Sequence, residues 1–139
     1  LLRVEKVADH PLQRAAGAVL IVGVAYGLAF PDRTDYLGHF LAGFGATLGL
    51  LSLLYTVPLK SRPIAIVIVT LIAVSLGWAT EETIFKLAIF DPVDFFNQSL
   101  GAVVAAAVVL GDPRGAVTGL WAFSIGFITL VAGFVFAFA

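Results

Sequence analysis

The final stretch of the chain, Ala116 to Ala139, carries no charged residue, and this feature limits the available folds more than any other. A bilayer core about 30 Å thick is crossed by roughly 20 apolar residues in an α-helix. Earlier apolar runs of similar length are each closed by short clusters of charges and prolines. Such runs are not the core helices of a soluble protein, because too little polar surface remains to cover them. Of 139 residues, 60% are hydrophobic and 12% charged, against about a quarter charged in ordinary soluble domains; mean hydropathy is +1.05. Transmembrane β-strands alternate polar and apolar residues and are about half as long, so they are excluded. The expected fold is all-α, a polytopic transmembrane bundle of about five spans forming one membrane domain, residues 1–139, surrounded by lipid bilayer.

The punctuation sets the spans at approximately 12–30, 35–57, 63–82, 94–110 and 116–138. Pro11 suits a first helical turn, and Pro31-Asp32, Pro58 and Asp91-Pro92 separate the runs. Gly111-Asp112-Pro113-Arg114-Gly115 is the clearest turn signal. Residues 83–90, with Lys86 among large apolar neighbours, read as a segment lying along the membrane interface. Short connections predict that sequential helices are antiparallel neighbours.

With five spans, Arg3, Lys6, Arg14, Lys60, Arg62 and Arg114, six of the eight basic residues, fall on one side. Arg33 and Lys86 fall on the other. The positive-inside rule then predicts a cytoplasmic N-terminus and an outside C-terminus in the cell membrane. Net charge is -1 with no basic block, which excludes nucleic acid as a partner. The absence of cysteine removes thiol nucleophiles, thiolate metal sites and disulfides. Leu1 in place of methionine reads as an ordered-chain, processed or non-standard start.

Small residues supply the expected packing surfaces. Gly23 and Gly27 are four apart, as are Gly45 and Gly49; Gly38, Ala42, Gly45 and Gly49 form a helical stripe. Gly119, Ala122, Gly126 and Gly133 form another. Such stripes let helix backbones approach where lipid provides no hydrophobic drive to associate. Packing within the chain is the first expectation, and a face for a homo-oligomer or another membrane subunit is the alternative.

The polar residues are unevenly placed. Asp32, Asp35, Glu81, Glu82, Asp91 and Asp94 all map to the predicted outer ends of the second, third and fourth spans. His39 follows Asp35 by one turn on nearly the same face, since four residues advance about 400°. Asp94, Asn97 and Gly101 share a face of the fourth span by the same arithmetic. Ionisable groups inside spans cost about 2.5 kcal/mol or more when unpaired, so Asp35, His39, Glu81, Glu82, Asp94 and Asn97 form the candidate polar cluster. The competing reading is interfacial: Asp91 and Asp94 can cap the fourth helix, Glu82 can pair with Lys86, and Asp32 can reach water. Tyr36 and Trp78 read as aromatic-belt residues.

Asp35-Tyr-Leu-Gly-His39, then Gly77-Trp-Ala-Thr-Glu81-Glu82, then Asp91-Pro-Val-Asp94-Phe-Phe-Asn97-Gln-Ser-Leu-Gly101 resembles the VanZ-like group of small polytopic membrane proteins. It is similar as well to related families with Asp-x-x-x-His, Glu and Asp-containing segments on successive spans. The resemblance covers about half the chain, from Asp35 to Gly101. It implies a four- or five-helix fold with polar residues near the outer face and a role in the cell envelope. The glutamine that usually follows the glutamate, and the Arg-x-x-x-x-Asp approach to the last motif, are absent. Glu81-Glu82-Thr-Ile-Phe-Lys86 also looks like the Glu-Glu-x-x-x-Arg motif of intramembrane CAAX-type proteases, but no histidine follows and lysine replaces arginine.

Three function classes stay open. One is a binding protein with an outward polar site, in which His39, Glu81 and Asp94 hold a polar ligand or a divalent metal, Zn²⁺ or Mn²⁺. A second is an accessory subunit of a larger membrane complex. The third is an intramembrane metal-dependent hydrolase using a metal-activated water or a Glu/His pair. The chain offers no serine elbow or phosphate loop that would name a reaction.

Overall fold

The computed structural model describes residues 11–83, 89–111 and 119–139. They form five α-helices with no strand among them: α1 (Pro11–Ala29), α2 (Thr34–Leu51), α3 (Arg62–Thr83), α4 (Pro92–Leu110) and α5 (Leu120–Phe138). The α2–α5 helices lie in segments long and apolar enough to cross a membrane; the apolar part of α1, Gln13–Ala29, is shorter.

Local chemistry sets the boundaries. Pro31 follows α1 and cannot continue it; the turn is closed by Arg33 N–H donating to the Phe30 carbonyl at 3.1 Å. The expected second span reached residue 57, but α2 stops at Leu51 and a 3₁₀ turn, Ser52–Thr56, takes over. There the Ser52 hydroxyl donates to the Gly49 carbonyl at 2.6 Å. Val57 is extended, as a residue before proline should be. A short 3₁₀ turn, Leu59–Ser61, leads into α3. Asp91 caps α4 by accepting from Val93 N–H at 2.8 Å, with Pro92 in the first turn. The fourth helix therefore starts two residues before the expected 94.

Gly119 sits at φ +86°, immediately before α5. Its N–H donates to the Ser52 carbonyl at 2.8 Å, joining the start of α5 to the end of α2. The expected start of the last span, residues 116–118, lies outside the described residues. So do Lys86, most of the expected interfacial segment, and the basic residues Arg3, Lys6 and Arg114. The flanking Ile89 and Phe90 are non-helical and exposed.

The bundle is organised around α2 rather than by chain order. In its spanning segment 61% of residues are buried, against 11% for that of α3. Phe40, Phe44, Leu48 and Leu51, all on α2, are fully buried. The most extensive contacts are α2 with α5 and α2 with α4, while α1 touches α2 and α4 only lightly. Of the sequential pairs expected to be neighbours, α1–α2, α2–α3 and α3–α4 touch, whereas α4 and α5 scarcely do, each packing instead on α2.

Glycine decides the arrangement. On one face of α2, a Cβ on Gly38 would land on the backbone of Ala137, and one on Gly45 would land on Leu130 and Gly126. From α5, a Cβ on Gly126 would lie 2.6 Å from Gly49 N, and one on Gly133 would meet Ala42. The two stripes read from the sequence thus face each other. On another face of α2, Gly43 abuts the Gln98 backbone, and Gly101 of α4 abuts Phe40. The expected packing roles of Gly23, Gly27 and Gly119 are corrected: Gly23 meets only Leu37 Cδ1 at 3.8 Å, and nothing lies within 4 Å of a Cβ on Gly27 or Gly119; a Cβ on Gly49 would also meet nothing, the close approach there being of Gly126 to the Gly49 backbone. Gly119 serves the turn through its positive φ.

Candidate functional site

The first two turns of α2, the first turn of α4 and the last turn of α3 meet at one end of the bundle. From α2, His39 projects between the other two helices. Its Nδ1 lies 3.6 Å from Glu81 Oε1, and its Nε2 lies 3.4 Å from Asp94 Oδ2. The three side chains are mostly buried, Glu81 the most at 10% exposed. The convergence of His39, Glu81 and Asp94 expected from helix spacing is therefore present.

Asp35 lines the same space but is engaged elsewhere. The Arg33 guanidinium grips it in two-pronged fashion, Nε to Oδ1 at 2.9 Å and Nη2 to Oδ2 at 2.6 Å, and lies 4.0 Å over the Tyr36 ring. The hydrogen bond to Asp35 raises the already high affinity of Arg33 for its proton. Tyr36 packs edge-on against Phe30 at 5.3 Å.

Two expected members stand apart. Glu82 is exposed, because one residue along a helix turns the side chain by about 100°. Asn97 is buried towards α1, where the Tyr26 hydroxyl donates to its Oδ1 at 2.5 Å and its Nδ2 has no partner among the described residues. Gln98, missed in the sequence, takes its place at the site. It is four residues from Asp94, so the same arithmetic that selected Asn97 could have found it. Gly77 makes room for it, since a Cβ there would lie 2.5 Å from Gln98 Nε2.

These groups stand at one end of a cavity of about 880 Å³, within the roughly 300–1,000 Å³ usual for small-molecule sites. Its polar end is formed by Asp35, His39, Thr80, Glu81, Asp94 and Gln98. The remaining wall is apolar, with Ala46 and Leu50 of α2, Leu76 of α3 and Phe134 of α5.

The donor geometry bears on a metal. The two ring nitrogens of His39 face different carboxylates, so an ion held on Nδ1 beside Glu81 would be on the wrong edge of the ring for Asp94. Among the described residues no group of three His, Asp or Glu side chains could hold a metal ion. The three-ligand set expected from the sequence is not assembled, because the imidazole separates its carboxylates instead of gathering them with itself around a point.

The arrangement is richer in acceptors than in donors. Neutral imidazole has one N–H, and each carboxylate has two acceptor oxygens. Separations of 3.4 and 3.6 Å exceed direct hydrogen-bond lengths. Asp94 Oδ1 is buried with no hydrogen-bond partner among the described residues, a condition that costs about 1–3 kcal/mol. The glutamate pair is split between cavity and exterior, unlike a pair acting together on one water. No known family, curated protein or solved structure matches this chain, and its function is therefore read from the chemistry of the site.

Proposed function

We propose that this protein is a small integral membrane binding protein whose His39–Glu81–Asp94 cluster takes a polar, hydrogen-bond-donating ligand. The observation that carries this reading is a histidine flanked by two carboxylates at one end of a cavity of about 880 Å³. Such groups are expensive inside a bundle unless they serve a ligand, a partner or water. The excess of basic residues on the opposite loops supports an outward-facing site. The VanZ-like order of motifs supports a role in the cell envelope.

The test is extraction of the protein in native lipid discs, followed by mass spectrometry of the lipids and small molecules that accompany it. Wild-type protein should carry a species that falls at least tenfold in Glu81→Gln and Asp94→Asn variants of equal helicity and disc size. An identical profile in all three removes the reading.

A further inference from the structure

The cavity continues well past its polar end. Its lining residues on α2 are Asp35, His39, Ala42, Ala46 and Leu50, spaced by four, three, four and four, which is one continuous face of a helix. Fifteen residues at 1.5 Å each make that face about 22 Å long, a large part of a bilayer core about 30 Å thick. Along α3 the lining keeps the same polarity, passing from Glu81 and Thr80 to Leu76 and Ala73, while the α5 wall is apolar throughout, from Phe138 to Leu130. Because α5 runs antiparallel to α2, with Gly38 against Ala137 and Gly45 against Leu130, Leu130 lies at the deep end. The slot is polar for one turn and apolar for the next three.

Resting on the binding function proposed above, we infer that the ligand is a long-chain aliphatic amine, its ammonium head at the carboxylates beside His39 and its chain along Ala42, Ala46 and Leu50. The head chemistry follows from the excess of acceptors. Arg33 is committed to Asp35, which leaves the His39 imidazole and the Gln98 amide as the donors beside the two carboxylates. An ammonium brings three N–H donors and a positive charge. An anionic head would meet Glu81 and Asp94 as like charges. The tail chemistry follows from the wall: small side chains at Ala42, Ala46 and Ala73 leave length free for a chain, and none of these three can hydrogen-bond through its side chain. Because lipid is as apolar as the slot, the tail contributes position while the head contributes the preference for this site.

The experiment uses the whole chain in phosphatidylcholine discs and a dodecylamine bearing a diazirine at the chain end, with photo-crosslinks mapped by mass spectrometry. Crosslinks are expected at Ala46, Leu50, Ala73 and Leu76. They should fall at least tenfold with excess dodecylamine and in a Glu81→Gln/Asp94→Asn variant, and persist in excess dodecyl sulfate. Propylamine, followed by the ring-nitrogen resonances of His39, probes the head site alone. Ala46→Phe, which fills the slot, should abolish the deep crosslinks and keep the propylamine response. Crosslinks confined to lipid-facing residues such as Leu71 and Val131, with an intact propylamine response, overturn the amphiphile and leave the polar site standing. Loss of both signals in the folded wild-type protein overturns both. Equal competition by dodecyl sulfate overturns the amine head.

Discussion

A neutral imidazole can donate to one acceptor at a time, yet His39 has a carboxylate oxygen near each ring nitrogen. Satisfying both requires an imidazolium, a carboxyl proton shared across the cluster, or a donor from outside. Replacing His39 by Leu leaves two partly buried carboxylates without their common partner. Stability should fall by about 1–3 kcal/mol. Adding Asp94→Asn to that variant should restore part of the loss, because it removes one of the two like charges. The unfolding midpoint in mixed micelles reads both effects, and a further loss in the double variant would contradict the electrostatic account. The Tyr26–Asn97 hydrogen bond is a separate link, tying α1 to α4. Tyr26→Phe should lower stability by about 1 kcal/mol, in line with polar links between membrane helices, without changing the ligand profile of the site.

At the scale of the helices, glycine positions divide by what stands opposite them. Gly45 and Gly126 are pressed against the partner backbone, so Gly45→Val should force α2 from α5 and cost roughly 1–3 kcal/mol or more. Gly27 has open space, so Gly27→Ala should be neutral or stabilise by up to about 1 kcal/mol through its helix preference. The same denaturation series measures both, and equal effects at the two positions would show that close approach is not what the stripe provides. The stripes on α2 and α5 were legible because a repeat of small residues at helical spacing has few other uses in a long apolar run. That they pair with each other was not legible, because a stripe marks a close approach without naming its partner. Gly43 escaped notice because it lies alone on its face, and only the crossing of α4 gives it a role.

Across the whole molecule, the His39, Glu81 and Asp94 cluster stands at one end of the bundle, while Ser52 is buried at the far end of α2. Arg14 donates to the Gly111 carbonyl at 2.8 Å, linking α1 to the last turn of α4 at the opposite end. The natural absence of cysteine makes single-cysteine labelling a clean test of the proposed orientation. In intact cells an impermeant thiol reagent should label Asp32→Cys and spare Lys60→Cys, with labelling of the latter appearing after permeabilisation. The reverse pattern would place the site at the cytoplasmic face.

The sequence alone determined the class of fold, most of the helix boundaries to within a few residues, and the choice of His39, Glu81 and Asp94 as candidates at one level of the bundle. All three follow from local periodicity: apolar length measures the bilayer, proline and charge end the runs, and helical spacing puts one polar group per span at the same level. The tertiary structure decided what local periodicity does not encode. It put α2 at the centre, turned Asn97 towards Tyr26 and Gln98 towards the cavity, and placed two carboxylates on opposite edges of one imidazole. Each of these depends on the rotation of a helix about its own axis relative to its neighbours, which is set by where backbones can touch. Glycine permits that contact, and the fit between helices selects it.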